Sequence, residues 1–555
     1  MEVLRKTKKV PLVLSFTNFA NQIFRMKKLL IPVFVLSSLV AWSQKSTEAK
    51  PKAELNWYLK DPKKTKVYGV GAEKAYELLK GKNPQEVIVA VIDSGVETDH
   101  PDLKDVIWVN EKEIPGNGVD DDNNGYIDDV HGWSFLGGPG GDIDQEALEI
   151  SRMYRSEAKY FEGKDLSNLS PEDKKRHEAF LKLKDAHTRE ISTTAQNYGQ
   201  IKVLNDYIQN VKASNNGEFN KKGNKAYQPK NEIETKIKKR LGLILAVVKP
   251  AELEDQISGA AKSYEGMLKM DKLDVDSLRM TLVGDNPSDM TERFYGCNRY
   301  EGPDAFHGTH VAGIIAAKRG NGIGIEGIAN NVKIMVLRAV PNGDERDKDV
   351  ANAIRYAVDN GAKVINMSFG KYYTPNKDVV DEAILYAKSK DVLLVHAAGN
   401  DAKNKDLEDS YPTRILSDGT IASNWIEVGA SSSSKKGKDL IANFSNYGSK
   451  TVDVFAPGVD IYSTVPDGKY GDASGTSMAC PATAGVAAMI RSYFPELKAH
   501  EVKELLMKTA TPYTKTITIP GAEKGKNKGT MQNVSISGGF VNAAAAVEYL
   551  LQNKK

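Results

Sequence analysis

Cysteine is scarce in this chain. Only Cys297 and Cys480 occur in 555 residues, which excludes a small scaffold held together by many disulfides. Whether the two can pair depends on a distance that the sequence does not give. Cys480 lies in an apolar stretch, and we expect it to pack there as a small apolar side chain.

A strong charge imbalance is also missing. The 76 basic and 73 acidic residues leave a formal net charge of only +3, which gives no reason to expect nucleic acid or an anionic membrane as a partner. Hydrophobic residues make up 40% of the chain. The chain can therefore bury a large core, and its length allows two or three domains.

Long apolar runs are absent apart from one near the start, MKKLLIPVFVLSSLVAWSQ from Met26. Two lysines, an apolar stretch and the small residues Ala41 and Ser43 predict a secretory signal cleaved before Gln44, so residues 1–43 are expected to be a leader with its true start at Met26. The alternative is an uncleaved membrane anchor, although the stretch is short for a span. We expect export to the periplasm or the extracellular space, without a membrane span in the mature chain.

The most informative run, GTSMACPATAGVAAMI, contains Ser477. A serine between small residues at the start of an apolar, helix-forming stretch is how a fold presents a hydroxyl nucleophile at a helix N-terminus. Taken alone, the run also fits an ordinary turn.

Three further segments supply what a serine nucleophile needs. Asp93 ends the apolar strand EVIVAVID, His307 stands where the helix-like run FHGTHVAGIIAAK begins, and Asn400 follows the strand LLVHAAG. Acyl transfer by serine requires a base for the hydroxyl proton, a carboxylate that orients the imidazole, and donors for the oxyanion.

In these motifs the chain resembles the subtilase family of serine endopeptidases. The resemblance rests on DSG (93–95), HGTHVAG (307–313), AAGN (397–400) and GTSMA (475–479), and the order Asp, His, Ser along the chain is that of the family. It implies a three-layer α/β/α fold with a mostly parallel central sheet. It also implies hydrolysis of peptide bonds through an acyl-enzyme.

Residue by residue, the resemblance makes Asp93 the orienting carboxylate, His307 the general base and Ser477 the nucleophile. Asn400 would donate to the oxyanion together with the backbone N–H of Ser477. His310 lies one helical turn beyond His307, so spacing alone leaves two candidates for the base. The family motif favours the first, and His310 is then expected to be a packed or capping histidine.

The resemblance also implies a substrate-binding edge. KVINMSFG reads as a buried strand that ends in Ser368, Phe369 and Gly370, where subtilases have Ser-Leu-Gly on the edge that pairs with the substrate backbone. Gly399, in the AAGN motif, is a further substrate-binding candidate. An extended peptide would add there as a strand. The alternative is a strand end followed by a turn, and Phe369 in place of leucine is expected to reshape the specificity pocket.

Strand-like and helix-like patterns alternate along much of the chain, which predicts a parallel sheet covered on both faces. The expected strands are 86–93, 332–340, 363–370 and 393–400, and the expected helices are 70–82, 347–362, 377–390 and 540–555.

The chain departs from the family in one spacing. Asp93 and His307 are 214 residues apart, where the usual subtilase separates them by a few tens. We expect residues 139–302 to form an insertion between two catalytic segments, 44–138 and 303–555. No obvious pro-domain lies between Gln44 and the mature-like start near Leu55. Either the enzyme folds without one, or the insertion restrains it.

The insertion is expected to be mainly helical. Its stretches 170–192 and 231–248 are charged and helix-patterned, with Ser170 as an N-cap. It is either a solvated decoration or a lid over the cleft, since it lies between the acid and the base in sequence.

One loop suggests calcium. Asp120, Asp122 and Asn124 alternate before Gly125, with Asp128 next, as in the first half of a calcium loop. An EF-hand is not expected, because the twelfth position is a histidine, and an acidic surface turn is the alternative.

A second calcium site is implied by the resemblance alone, at Asp102 with Asn321.

The sequence thus predicts an exported serine endopeptidase that acts on proteins or peptides. Two alternatives stay open. One is a peptidase that the insertion restricts to short peptides, and the other is a catalytically silent relative that binds peptides.

Overall fold

A computed structural model describes residues 55–246, 248–523 and 527–553. The segment interpreted as a signal sequence, within residues 1–43, lies outside them. The described chain forms two compact units: a small one, Thr193–Tyr264, and a larger one formed by the residues on either side of it. Within the described residues, no helix is both long and apolar enough to span a membrane.

The larger unit is built on a nine-stranded sheet with the order β12-β15-β9-β8-β7-β6-β1-β5-β2. Its strands are parallel except for the antiparallel pair β12 and β15. The strands of the protein are β1 (Val87–Asp93), β2 (Gly132–Ser134), β3 (Gly137–Gly138), β4 (Gly141–Asp142), β5 (Val332–Arg338), β6 (Val364–Met367), β7 (Leu393–Ala397), β8 (Trp425–Ser431), β9 (Val454–Pro457), β10 (Ile461–Val465), β11 (Lys469–Ala473), β12 (Thr511–Pro512), β13 (Ile517–Thr518), β14 (Lys528–Gly529) and β15 (Gly539–Phe540).

Helices cover both faces of this sheet. The helices of the described chain are α1 (Pro62–Thr65), α2 (Ala72–Leu79), α3 (Glu149–Phe161), α4 (Pro171–Ala213), α5 (Lys221–Ala226), α6 (Glu232–Ile244), α7 (Pro250–Met270), α8 (Val275–Leu282), α9 (Phe306–Ala316), α10 (Asp347–Asp359), α11 (Lys377–Ser389), α12 (Gly437–Leu440), α13 (Thr476–Tyr493), α14 (Ala499–Lys508) and α15 (Ala543–Asn553). Those that cover the sheet belong to the larger unit.

Successive residues of β1 enter two different cores. Val89 and Val91 pack with α9 and α13 on one face of the sheet. Ala90 and Ile92 pack with α10 and α11 on the other. A strand that is buried on both faces loses the polar alternation of a half-exposed strand, which explains the continuous apolar run. The expected α/β class, a mostly parallel sheet between two helical layers, is confirmed.

The long segment between Asp93 and His307 contributes to both units. β2 adds to the edge of the main sheet beside β5. Arg279, on α8, has a fully buried side chain that forms ion pairs with Asp285 and Asp349 at 2.8 and 2.5 Å. Parts of 139–302 are therefore integral to the larger unit.

The small unit has a hydrophobic core of its own. Its apolar side chains come from α4, α6 and α7, and Ile208, Leu241 and Ile257 are at most 1% exposed. The expected helices are present, and the one at 170–192 continues as α4 to Ala213. Ser170 caps it, since its Oγ accepts from the N–H of Asp173 at 3.0 Å.

Cys297 and Cys480 are both free thiols. Cys480 is fully buried on α13, where its Sγ lies 3.1 Å from the carbonyl oxygen of Val395. It packs as a small side chain against β7, as expected.

Candidate active site

Asp93 and His307 are in direct contact. Asp93 ends β1, and Nδ1 of His307, at the start of α9, lies 2.7 Å from Asp93 Oδ1. The carboxylate is 3% exposed and the imidazole 39%, so the base is open to a substrate and the acid is not. Burial disfavours the imidazolium, but the charge of Asp93 outweighs it, so the pKa of His307 is raised above 6.5.

Ser477 is the second residue of α13. Its Oγ donates to the carbonyl oxygen of Ser368 at 3.1 Å, and Oγ of Ser368 donates back to the carbonyl oxygen of Ser477 at 3.0 Å. This reciprocal pair fixes the start of α13 against the end of β6. The nucleophile candidate therefore lies directly beside the expected substrate edge.

Two N–H donors converge beside Gly475. A β-carbon built on Gly475 would lie 3.5 Å from the backbone nitrogen of Ser477 and 3.6 Å from Nδ2 of Asn400. Glycine leaves this position open. An oxygen held there can accept from a backbone amide and from a side-chain amide, which is the arrangement of an oxyanion hole.

Thr476 orients Asn400. Oδ1 of Asn400 accepts from both the backbone N–H and the hydroxyl of Thr476, each at 2.9 Å. The N–H of Gly399 donates to the same hydroxyl oxygen at 3.1 Å. With its oxygen held in this way, the amide of Asn400 turns its nitrogen towards Gly475. The sequence analysis missed Thr476, although it stands next to Ser477 in the serine motif.

His310 is placed differently from His307. It is fully buried, and its Nε2 donates to the carbonyl oxygens of Ile461 and Gly471, at 3.0 and 3.2 Å, on the β10–β11 hairpin. Burial lowers the pKa of His310 to about 4, helped by the neighbouring His307. It is a packed, neutral histidine that holds the hairpin.

The edge formed by Ser368, Phe369 and Gly370 is anchored by the next residue. The backbone of Lys371 exchanges hydrogen bonds with that of Tyr411, at 2.9 and 2.8 Å. The buried Nζ of Lys371 contacts Glu149 at 2.6 Å and Asp347 at 2.8 Å. These carboxylates outweigh the burial that would lower the pKa of Lys371, so it is raised. Since Glu149 begins α3, the edge is tied to a segment 222 residues away.

The acidic loop assembles a different set from the expected one. Carboxylate oxygens of Asp120, Asp122 and Glu113 lie within 4.8 Å of one another. Asp128 does not join them, because its carboxylate accepts from the backbone N–H groups of residues 116 and 118 at 2.7 and 2.9 Å. Asn124 Oδ1 accepts from the backbone N–H of Tyr126 at 2.8 Å. Three converging carboxylates fit a hard cation such as Ca²⁺.

Asp102 and Asn321 are in contact, as expected. Asp102 is fully buried, and its Oδ1 accepts from Nδ2 of Asn321 at 2.6 Å while Oδ2 accepts from the N–H of Ile325 at 3.0 Å. For Asn321 to ligate a cation, its amide would have to present the oxygen instead.

The chain matches known proteins over part of its length. The model of the subtilase family matches residues 84–534. The cell wall-associated protease of Bacillus subtilis (strain 168) is 38% identical over 42% of this chain and 24% of its own length. A thermophilic serine proteinase of Bacillus sp. (strain AK1) is 44% identical over 34% of this chain and 42% of its own. Thermitase of Thermoactinomyces vulgaris is 42% identical over 34% of this chain and 61% of its own.

The matched parts thus span between a quarter and about three fifths of these relatives. A solved protease structure from Pseudoalteromonas arctica aligns with 91% of this chain and 99% of its own, with 20% identity and a TM-score of 0.45.

Proposed function

Since this chain belongs to the subtilase family, we propose that it is an exported serine endopeptidase that hydrolyses peptide bonds of proteins or peptides through an acyl-enzyme. The observation that carries the proposal is the 2.7 Å contact between Asp93 and His307. The chain also leaves a space at Gly475, where the backbone N–H of Ser477 and Nδ2 of Asn400 can donate to a developing oxyanion.

Asp93 fixes the tautomer of the base. Its carboxylate accepts the Nδ1 proton of His307, which leaves Nε2 with a lone pair. Nε2 takes the proton of Ser477 Oγ as that oxygen attacks the carbonyl carbon of the substrate. The oxygen must first leave its hydrogen bond to Ser368 and turn towards the imidazole.

The oxyanion forms next to Gly475. Asn400 Nδ2 and the backbone N–H of Ser477 donate to it, and they act more strongly on the charged intermediate than on the neutral carbonyl. The imidazolium then gives its proton to the leaving amine as the C–N bond breaks. Water repeats the sequence on the ester of Ser477 and releases the acid.

The peptide adds as a strand along Ser368, Phe369 and Gly370, with Gly399 on the opposite side of the cleft. The firm anchoring of Lys371 supports this role, because a preorganised edge loses little entropy when a peptide pairs with it. A peptide-binding relative without catalysis is the alternative from another class. A peptidase limited to short peptides by the insertion is the other.

Calcium is part of the proposal as a structural ion. Glu113, Asp120 and Asp122 would hold it in the acidic loop, and Asp102 with Asn321 would form a second site. Bound there, the ion would neutralise carboxylates that otherwise repel one another.

Export to the periplasm or extracellular space is proposed from the leader sequence. We also propose that a mainly helical insertion, residues 139–302, lies between the catalytic segments 44–138 and 303–555, and that its two ends pack as part of the larger unit.

Labelling with a fluorophosphonate probe tests the proposal without knowledge of the substrate. The wild-type protein should be labelled at Ser477 and should cleave a denatured protein. Ser477→Ala and His307→Ala should lose about 10⁶ of kcat and remain folded. His310→Ala should act mainly through stability. A folded wild-type protein that neither reacts with the probe nor cleaves any peptide would favour the silent peptide-binding relative.

A further inference from the structure

A crevice opens beside Ser477 where two parallel strands part. Met367 of β6 and His396 of β7 are the last paired residues. Beyond them the first strand leads to Ser368 and the second to Asn400, both of which contact the start of α13. The last pair, Met367 and His396, therefore lies directly before the two segments that border the crevice.

His396 is a buried polar residue in that position. It is 1% exposed, and its Nδ1 lies 3.1 Å from both carboxylate oxygens of Glu427. Glu427 also accepts from Nε1 of Trp425 at 2.8 Å and pairs with Lys405. Although burial alone would raise its pKa, the charge of Lys405 and the hydrogen bond from His396 lower it to about 2. An ionised carboxylate only accepts, so Nδ1 of His396 carries the hydrogen.

The other ring nitrogen lies beside the edge that ends in Gly370. Nε2 of His396 is buried and has no hydrogen-bond partner among the described residues. It lies 3.7 Å from the position of a β-carbon built on Gly370. Phe369 stands edge-on to the same ring, with centroids 6.4 Å apart.

A second polar group lies beside the same edge. Oγ of Ser410 is also buried and without a partner among the described residues. The next residue, Tyr411, places its carbonyl oxygen 3.2 Å from the β-carbon position of Gly370. Since buried polar groups in folded proteins are normally paired, these two atoms leave hydrogen bonds that a polar ligand can complete.

We infer that His396 determines specificity, and that the crevice receives a carboxamide side chain, glutamine or asparagine, from the residue whose carbonyl Ser477 attacks. The inference rests on the proposed function. The amide N–H donates to Nε2 of His396, and the amide oxygen accepts from the hydroxyl of Ser410. The adjacent ion pair of Lys405 with Glu427 is neutral overall, which suits an uncharged side chain. An apolar side chain would leave the nitrogen unpaired.

Two peptides that differ only in the residue before the cleaved bond, glutamine in one and methionine in the other, test this inference. The two side chains are similar in length, but only glutamine forms hydrogen bonds through an amide. The wild-type protein should prefer glutamine by at least about tenfold in kcat/KM. His396→Leu should bring the ratio near one while cleavage after methionine is kept. His187→Leu is the matched control, since it removes another histidine–carboxylate contact, 2.7 Å to Asp271, and should leave the ratio unchanged.

Ser410→Ala is the second variant, in case His396→Leu does not fold. It loses no protein hydrogen bond and should reduce the glutamine preference several-fold. Fluorophosphonate labelling of Ser477 distinguishes failure of the specificity inference from failure of the proposed endopeptidase function. A labelled enzyme that cleaves after methionine as fast as after glutamine overturns the inference and leaves the endopeptidase intact. Absence of both labelling and cleavage defeats the proposed function itself.

Discussion

At the residue scale, the contact between Asp93 and His307 sets how activity varies with pH. The base must be neutral to accept a proton, and Asp93 raises the pKa of His307. We therefore expect kcat/KM to fall, as pH is lowered, through a midpoint above 6.5. Asp93→Asn removes the raising charge and leaves burial, so its midpoint should move below that of the wild type, with kcat lower by about 10⁴. A pH–rate profile of both proteins measures this; a wild-type midpoint below 6.5 contradicts it.

Gly475 matters for the space it leaves. Its backbone is extended, with φ 169°, a conformation that any residue adopts, and an added β-carbon meets nothing closer than 3.5 Å. Gly475→Ala should therefore fold with a melting temperature close to the wild type. Its methyl group would occupy the point where Ser477 N and Asn400 Nδ2 converge, so kcat should fall by about 10²–10³.

Gly471→Ala is the control for that substitution, because its β-carbon also makes only ordinary contacts, the nearest at 3.4 Å to Val465. It should keep full activity. If Gly475→Ala does so as well, the oxyanion does not lie beside residue 475.

At the scale of elements, the acidic loop should link stability to calcium. A cation bound only by the folded protein stabilises it by about 2.7 kcal/mol at a concentration 100 times its Kd. The melting temperature should rise with calcium and fall with a chelator. Asp120→Asn combined with Asp122→Asn should remove part of that response.

Asp121→Asn is the matched control in the same loop. Its carboxylate accepts from the N–H of Ile114 at 3.0 Å and from Asn117 at 2.8 Å instead of joining the cluster. It should shift the melting temperature equally with and without calcium. A melting temperature that changes with neither calcium nor chelator would reject both the metal site in the acidic loop and the one at Asp102 with Asn321.

The same elements show what the sequence can and cannot predict. β1, β7 and the starts of α9 and α13 follow from apolar runs that end in polar motifs, because those patterns are local. Glu113 was missed because it precedes the acidic run and joins it only through folding. Lys371 carries no sequence signal, since its partner Glu149 is 222 residues away.

At the scale of the whole molecule, the division into units decides which part can be removed. His187 on α4 lies 2.7 Å from Asp271, just after α7, so the two helices are adjacent near the points where the chain leaves and re-enters the larger unit. Replacing residues 193–264 with a short Gly/Ser linker costs only tenths of a kcal/mol to about 1 kcal/mol of closure entropy. Since the candidate catalytic residues all lie in the larger unit, kcat/KM for a short peptide should stay within about twofold.

A wider deletion, residues 140–301, should fail to fold. It removes Arg279 and leaves Asp349 buried without its ion-pair partner at 2.5 Å, which costs about 3–5 kcal/mol. Thermal melts of both deletions in a Ser477→Ala background, which prevents self-digestion, measure the difference. A stable wider deletion would show instead that the whole of 139–302 is dispensable for folding.

The deletion of residues 193–264 also tests whether the small unit restricts access of substrates to the cleft. If it is a lid, the trimmed enzyme should gain activity on a denatured protein while its rate on a short peptide stays constant, since a gate excludes large substrates first. If it is a solvated decoration, both rates should equal those of the intact enzyme. Measuring the two substrates on one purified pair of proteins gives the ratio directly, and a protein-to-peptide ratio unchanged by the deletion rejects the gate.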